Sequence, residues 1–182
     1  MFDRAWLITW TCYGNWLPGD ARGFVGHYPA EDGTRRINNA AGVEPDHDVE
    51  WLRRYSERVQ KEPPVRLTAQ QAAELVTQFR ETAAYRGWAV PALAVMSNHI
   101  HLVVLVPGDP EPETILHSFK SYGSRRLNRV FGRREWWTSS GSTRKLTDET
   151  AIRTAARYVR DQANPLQVEV DASWLLNDEP AS

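Results

Sequence analysis

The amino-acid sequence predicts an α+β fold, and three observations carry that expectation. Residues 5–13, 88–96 and 98–106 are dense in β-branched, aromatic and aliphatic side chains, as strands are. Residues 68–86, 112–131 and 147–164 instead space their apolar side chains at helical intervals, and the two kinds of segment interleave along the chain. With 182 residues, eight Trp, six Tyr and five Phe, a single domain over 1–182 can bury an ordinary core without staples. Cys12 is the only cysteine, so no intramolecular disulfide forms and a reducing compartment fits. No apolar run approaches membrane-spanning length, and Met1-Phe2-Asp3-Arg4 leads straight into a strand-like segment without a secretory pattern. A cytoplasmic location without membrane contact is therefore expected.

The elements follow in order. The first strand, 5–13, is closed by Gly14 and Pro18-Gly19. Residues 14–63 are rich in Gly, Pro, Asn and Asp and read as a long insertion with one short helix near 51–60, either a functional loop or a packed lid. Within it, His47 between Asp46 and Asp48 fits a solvated turn better than a metal site. Thr68 and Gln71 form a capping-box pattern ahead of the stripe Ala72, Leu75, Val76, Phe79 and Ala83, and Gly87 ends that helix. The second strand, 88–96, contains Pro91, which calls for an edge position or a bulge. Only Ser97-Asn98 separates it from the third, so the two form a hairpin.

An amphipathic helix over 112–131 carries Ile115, Leu116, Phe119, Gly123, Leu127 and Val130, and a weak fourth strand lies within 136–146. Thr147-Asp148-Glu149 opens the last helix, Asn164-Pro165 closes it, and the tail from about 171 is expected to be flexible. The order β-α-β-β-α-β with an added C-terminal helix and a long insertion after the first strand is a ferredoxin-like plan.

The third strand opens with Asn98-His99-Ile100-His101 before five aliphatic residues. Alternation puts His99 and His101 on one face, where two neutral imidazoles can share one ion; the plain alternative is two histidines capping a core strand, each bonded to a carbonyl. In the last helix Tyr158 and Gln162, four residues apart, project beside the sheet-facing stripe Ile152, Ala155, Ala156 and Val159. Gln162 can add a neutral oxygen ligand to the imidazoles on a divalent ion with open positions, and Tyr158 can attack a phosphate held there. Equally, a tyrosine at the rim of a helix–sheet contact often only keeps its hydroxyl in water.

A formal net charge of −1 hides a strong asymmetry. Residues 119–160 hold eleven Lys and Arg against three acidic residues, whereas 1–118 and 161–182 are both net acidic. Lys120, Arg125, Arg126, Arg129, Arg133 and Arg134 are read as a path for a nucleic-acid strand, with Trp136 or Trp137 stacking on a base. A solvated helix face is the bland alternative.

Met96-Ser97-Asn98-His99-Ile100-His101-Leu102-Val103-Val104, the basic helix after it, the Trp136-Trp137 turn and Tyr158-Val159 with Gln162 resemble the single-tyrosine HUH transposases of small insertion sequences and their REP-associated relatives. The resemblance covers 5–13 and about 65–165. It implies metal-dependent cleavage and rejoining of single-stranded, hairpin-forming DNA through a 5′-phosphotyrosine. His99, His101 and Gln162 would hold Mg²⁺ or Mn²⁺, and Tyr158 would be the nucleophile. It also implies a possible homodimer. The insertion at 14–63 and the near-neutral charge depart from that pattern and leave room for a domesticated derivative. Tyr122 is the rival nucleophile, but only Tyr158 has a glutamine one turn later. The competing function is a non-catalytic single-stranded nucleic-acid-binding module of the same fold.

Overall fold

The computed structural model describes residues 2–17, 19, 26–29, 34–38 and 49–175. His47 lies outside the described residues. The chain divides into two units, Cys12–Val65 and the remainder, Met1–Thr11 with Arg66–Ser182.

The larger unit is built on strand β1 (Arg4–Thr11), and its neighbours β4 (Ala89–Val95), β5 (His99–Val106), β6 (Ser142–Leu146) and β7 (Gln167–Val170) complete an antiparallel sheet of order β6-β1-β5-β4-β7. The first four positions are the order a ferredoxin-like β-α-β-β-α-β chain produces, so the architecture is the α+β plan expected. β1 is an interior strand, paired with β5 from Arg4↔Val106 to Thr11↔His99 and with β6 from Ala5↔Leu146 to Thr9↔Ser142.

Pro91 does not put its strand at an edge. β4 sits between β5 and β7, and the missing donor is absorbed by a register shift between Ala89 and Ala92, the bulge alternative. The Pro91 carbonyl still accepts from the Asp171 amide at 2.8 Å.

Two helices cover one face: α2 (Ala69–Arg86) and α3 (Pro112–Phe131). α2 starts on the anticipated capping box, with Thr68 accepting from the Gln71 amide and the Gln71 side chain accepting from the Thr68 amide, and ends on Gly87 at φ 68°. Trp10 meets Phe79 edge to face at 5.6 Å, and Phe79 meets Phe119 at 5.7 Å, so β1, α2 and α3 share one aromatic core. Gly123 lets the helices close up, since a Cβ there would stand 3.1 Å from both Leu75 and Phe79. α4 (Glu149–Arg160) covers the opposite face, capped by Asp148, whose side chain accepts from the Ala151 amide at 2.8 Å. It packs Ala155, Ala156 and Val159 against Leu7, Ala92, Ala94, Val103 and Leu105.

The chain does not end its ordered course at α4. β7 adds a fifth strand beside β4, and a 3-10 turn at Ala172–Trp174 follows, with Trp174 packed on the α4 core and under the Arg153 guanidinium. Residues 171–175, at the start of the tail expected to be flexible, thus form a turn that packs on the sheet unit. Asp171 caps the turn, and Trp174 has apolar surface to cover.

The smaller unit contains the hairpin β2 (Gly26–Pro29) with β3 (Arg35–Asn38), and helix α1 (Glu50–Val59) close to where the sequence puts a short helix. Its two ends are zipped together: the Val65 amide donates to the Tyr13 carbonyl at 2.9 Å and Asn15 Nδ2 donates to the Val65 carbonyl at 2.6 Å. Chain ends held side by side are what allow an insertion of this length with little loop-closure cost. Gly14 is required at this junction, with φ +74° and a position where a Cβ would stand 2.9 Å from Pro64 Cα. Among the described residues no helix is long and apolar enough to cross a membrane.

Candidate active site

The site starts at the β4–β5 hairpin, where the Met96 amide donates to the His99 carbonyl at 2.9 Å and fixes the register in which β5 begins. Strand alternation then sends His99, His101, Val103 and Leu105 to the α4 face, while Ile100 and Leu102 enter the core. The two imidazoles lie edge to face with centroids 4.6 Å apart.

Each ring is held through Nδ1. His99 Nδ1 is 2.7 Å from Asn98 Oδ1, and His101 Nδ1 is 2.9 Å from the Thr9 hydroxyl, which the register Thr9↔His101 puts directly across the ladder. Ala94, the other cross-strand neighbour of His101, is small. Together with Ala155 and Ala156 it lets α4 come close enough that the Tyr158 ring meets His101 edge to face at 5.2 Å. Tyr158 itself is 49% exposed, so its hydroxyl is open to a large ligand.

Gln162 is not on the helix as the four-residue spacing implied. α4 ends at Arg160, and the Gln162 side chain turns back so that its Nε2 donates to the Tyr158 carbonyl at 3.0 Å. The amide also lies close enough to His101 to favour that ring's charged form. The turn satisfies a helix C-terminal carbonyl and at the same time aims the amide at the imidazoles.

Burial, reinforced by the neighbouring His99 and opposed by the nearby Gln162 amide, brings the His101 pKa down to about 4. His101 is therefore neutral at physiological pH, as a metal ligand must be. Among the described residues no cluster of three His, Cys, Asp or Glu is placed to hold a metal; what could hold one here is two imidazoles and a side-chain amide. That set is uncharged and leaves positions open, which suits a divalent cation that also binds phosphate oxygens.

The shift has a consequence for stability. The unfolded chain takes up a proton near pH 6.5 that the folded His101 refuses until about pH 4, so stability from this group is full above 6.5 and falls as pH drops through that window. The expected loss is up to ~3 kcal/mol. Urea unfolding at pH 7 and 4.5 checks it: the extra destabilisation at the lower pH should be missing in His101→Gln.

Residues 58–162, which contain all four of these side chains, match the family model of IS200-like transposases. The chain belongs to that family. Among solved structures it is similar to a REP-associated tyrosine transposase bound to a REP hairpin, with a TM-score of 0.50 and 11% identity over 87% of this chain and 66% of that one. It is also similar to a candidate transposase from Deinococcus radiodurans R1, with a TM-score of 0.43 and 14% identity over 89% of this chain and 93% of that one. No curated protein matches. At such identities the likeness to the hairpin-bound protein is one of fold.

In this member of the family the basic segment is less uniform than its sequence implied. Trp136 and Trp137 are 3% and 6% exposed and cannot stack on a base as expected. Trp137 packs edge to face on Trp10 at 6.0 Å and donates to the Lys120 carbonyl, and Trp136 donates to Asn128 Oδ1. Their polar neighbours Thr138, Ser139 and Ser140 disguised two core residues as a surface turn.

Lys120 is a clamp rather than a phosphate ligand. Its Nζ donates to the carbonyls of Thr138, Ser139 and Ser140 at 2.6, 3.1 and 3.2 Å, and burial lowers its pKa. The loop it holds adjoins the His99 end of the sheet, because the Thr138 amide donates to the carbonyl of Thr11, the partner of His99. Arg126 is 20% exposed and paired with Glu74 at 2.5 Å and Glu81 at 3.7 Å, tying α3 to α2. Arg126→Met should lower stability by ~1–2 kcal/mol in urea unfolding and leave the salt dependence of DNA binding unchanged.

Arg134 lies over the Trp136 ring. Arg125 stacks on Tyr122 at 5.2 Å and remains exposed, as do Arg129 and Arg133. These three are the outward part of the basic helix and its end, on the opposite face of the sheet from the histidines. Sequence reasoning assigned no role to Thr9. Strand alternation alone placed its side chain on the face opposite Trp10, but only the β1–β5 register shows that it faces His101.

Proposed function

We propose that this chain cuts and rejoins single-stranded DNA, with Tyr158 as nucleophile and a Mg²⁺ or Mn²⁺ ion held by His99, His101 and Gln162. The observation that carries the reading is the meeting of three chemistries in one small volume: a neutral imidazole pair, an exposed phenol 5.2 Å from its buried member, and an amide turned towards the same ring. Nothing in the packing of a core strand requires that combination. Family membership and the fold shared with a hairpin-bound REP-associated transposase support the same reading.

The cation would offset charge on the scissile phosphate and on the departing oxygen, and neutral ligands leave more of its charge for that purpose than carboxylates would. The Tyr158 oxygen attacks phosphorus, the bond to the 3′ oxygen breaks, that oxygen leaves as a 3′-hydroxyl, and the 5′ phosphate stays on the tyrosine. Attack by a 3′-hydroxyl reverses the step and frees Tyr158. The exposure of the phenol fits a substrate as large as a folded strand.

Arg125, Arg129 and Arg133 are proposed to bind phosphates. A strand that touches them and the histidines has to pass an edge of the sheet. At the β6 edge Arg144 and Lys145 are both exposed, and alternation gives one to each face. Replacing Arg125, Arg129 and Arg133 together with Ala should reduce the slope of log K against log salt by roughly one unit for each phosphate that is no longer neutralised. An unchanged slope would leave these residues as a solvated face.

The direct test of the reaction is incubation with hairpin-bearing single-stranded oligonucleotides and Mn²⁺. A protein–DNA adduct that survives SDS is expected, and chelation of the metal should prevent it.

A further inference from the structure

The unit at Cys12–Val65 takes no part in the reaction scheme above, and its helix α1 is built against the usual rule. The side it buries carries Leu52 and Ser56, whereas its two largest apolar side chains face solvent, Trp51 at 41% exposure and Tyr55 at 55%, with Val59 nearly as open. Trp51, Tyr55, Arg58 and Val59 lie within about 100° around the helix axis, so the Arg58 guanidinium stands among the three apolar groups. Arg53 and Arg54 are tied to Glu57 and Glu50 at 2.9 and 2.6 Å, while Arg58 is exposed with no carboxylate partner among the described residues. Exposed apolar residues scattered singly are ordinary. Three on successive turns beside an unpaired cation are a surface.

Size and charge decide what covers it. A ten-residue helix is about 15 Å long, and one face of it, about 10 Å wide, falls well short of the ~800 Å² that a stable protein partner buries on each side. A second copy of this chain therefore fits poorly. Flat rings beside a positive charge suit a strand of bases joined by phosphates, because every base has a π-face and the guanidinium takes the anion. Trp51 and Tyr55, four residues apart, are about 6 Å from one another along the axis, nearly twice the ~3.4 Å per nucleotide of a stacked duplex strand. Each ring therefore takes a base of its own from an opened strand, and a duplex, whose base faces are already covered, gains nothing here.

We propose that Trp51 and Tyr55 form a stacking platform for unpaired bases of single-stranded DNA, with Arg58 neutralising a phosphate beside them. The choice of DNA as the strand rests on the proposed reaction, and the experiment separates the two. Fluorescence anisotropy on the full chain compares labelled oligothymidylate with a labelled duplex of equal length. The proteins are wild type, the double variant Trp51→Ala with Tyr55→Ala, the double variant Trp51→Phe with Tyr55→Phe, Tyr55→Ala alone, and Arg58→Gln, with melting temperature recorded for each. The double Ala variant should bind oligothymidylate about 10–100-fold more weakly at unchanged melting temperature, with the same salt slope and unchanged duplex affinity. The Phe pair keeps both rings and should keep most of the affinity. Arg58→Gln should lower the slope of log K against log salt by roughly 0.7. Should the double Ala variant melt early, Tyr55→Ala alone carries the comparison, with a loss of about 5-fold or more expected. Wild-type oligothymidylate affinity in the Ala variants overturns the inference, as does an equal loss on the duplex. Sedimentation in which wild type self-associates and the double Ala variant does not would also overturn it and assign the face to a second copy. The SDS-stable adduct, formed at saturating hairpin oligonucleotide, is read on the same proteins and should survive both Ala substitutions. Ring-dependent binding without any adduct would uphold the platform and remove the reaction, whereas an adduct with ring-independent binding would remove the platform alone.

Discussion

Tyr158→Phe should abolish the covalent DNA adduct and reduce strand cleavage by at least roughly 10³-fold, because the substitution removes the attacking oxygen and nothing else. The ring keeps its edge-to-face packing on His101, and the helix keeps its sheet-facing alanines and Val159, so fold and metal affinity should hold. Mass spectrometry of the trapped adduct from the unaltered protein identifies the nucleophile directly. A DNA-bearing peptide containing Tyr122 would move the role to α3. The geometry opposes that outcome: Tyr122 lies under the Arg125 guanidinium on the helix that covers the other face of the sheet, whereas Tyr158 shares its face with both histidines.

His99→Ala should lose Mn²⁺ affinity by more than about 100-fold, above the cost typical of losing an outer partner, and should lose the adduct with it. Binding of single-stranded DNA should persist, since most of its free energy comes from phosphate contacts elsewhere. His99 is the cleaner of the two histidines to remove. It is half-buried, whereas truncating His101 would open a cavity under α4 and mix a stability loss into the result. Gln162→Ala should be milder, about 10–100-fold in metal affinity, because an amide in an open site can be replaced by water. Calorimetric titration with Mn²⁺, read beside SDS gels of the adduct, separates loss of metal from loss of chemistry. Retained cleavage in His99→Ala would remove the metal from the mechanism.

The legible parts of the chain were those governed by local rules. The capping box at Thr68, the αL glycine at Gly87, the His-Ile-His alternation and the N-terminal cap of α4 all depend on residues within a turn or a strand repeat of one another. Their consequences survive whatever packs around them. The errors came where a side chain's role depends on distant neighbours. Lys120 and Arg126 look like surface cations on a helix, yet one is consumed by three carbonyls some twenty residues away and the other by carboxylates on α2. Trp136 and Trp137 sit in a polar stretch and are buried because Asn128, Lys120 and Trp10 supply their partners from other elements.

The sequence by itself determined that His99 and His101 share a face, that Tyr158 lies on the flank of a helix with a sheet-facing stripe, and that the elements follow a ferredoxin-like order. Periodicity is a local property, so these could be read without coordinates. Tertiary structure alone decided that the faces meet. The β1–β5 register sets Thr9 against His101, the small residues Ala94, Ala155 and Ala156 bring α4 down far enough for Tyr158 to reach the imidazole, and Gln162 turns back past the helix end. Each of these depends on pairing and packing between segments far apart in the chain, where free energy comes from the fit of two surfaces and no single segment encodes both.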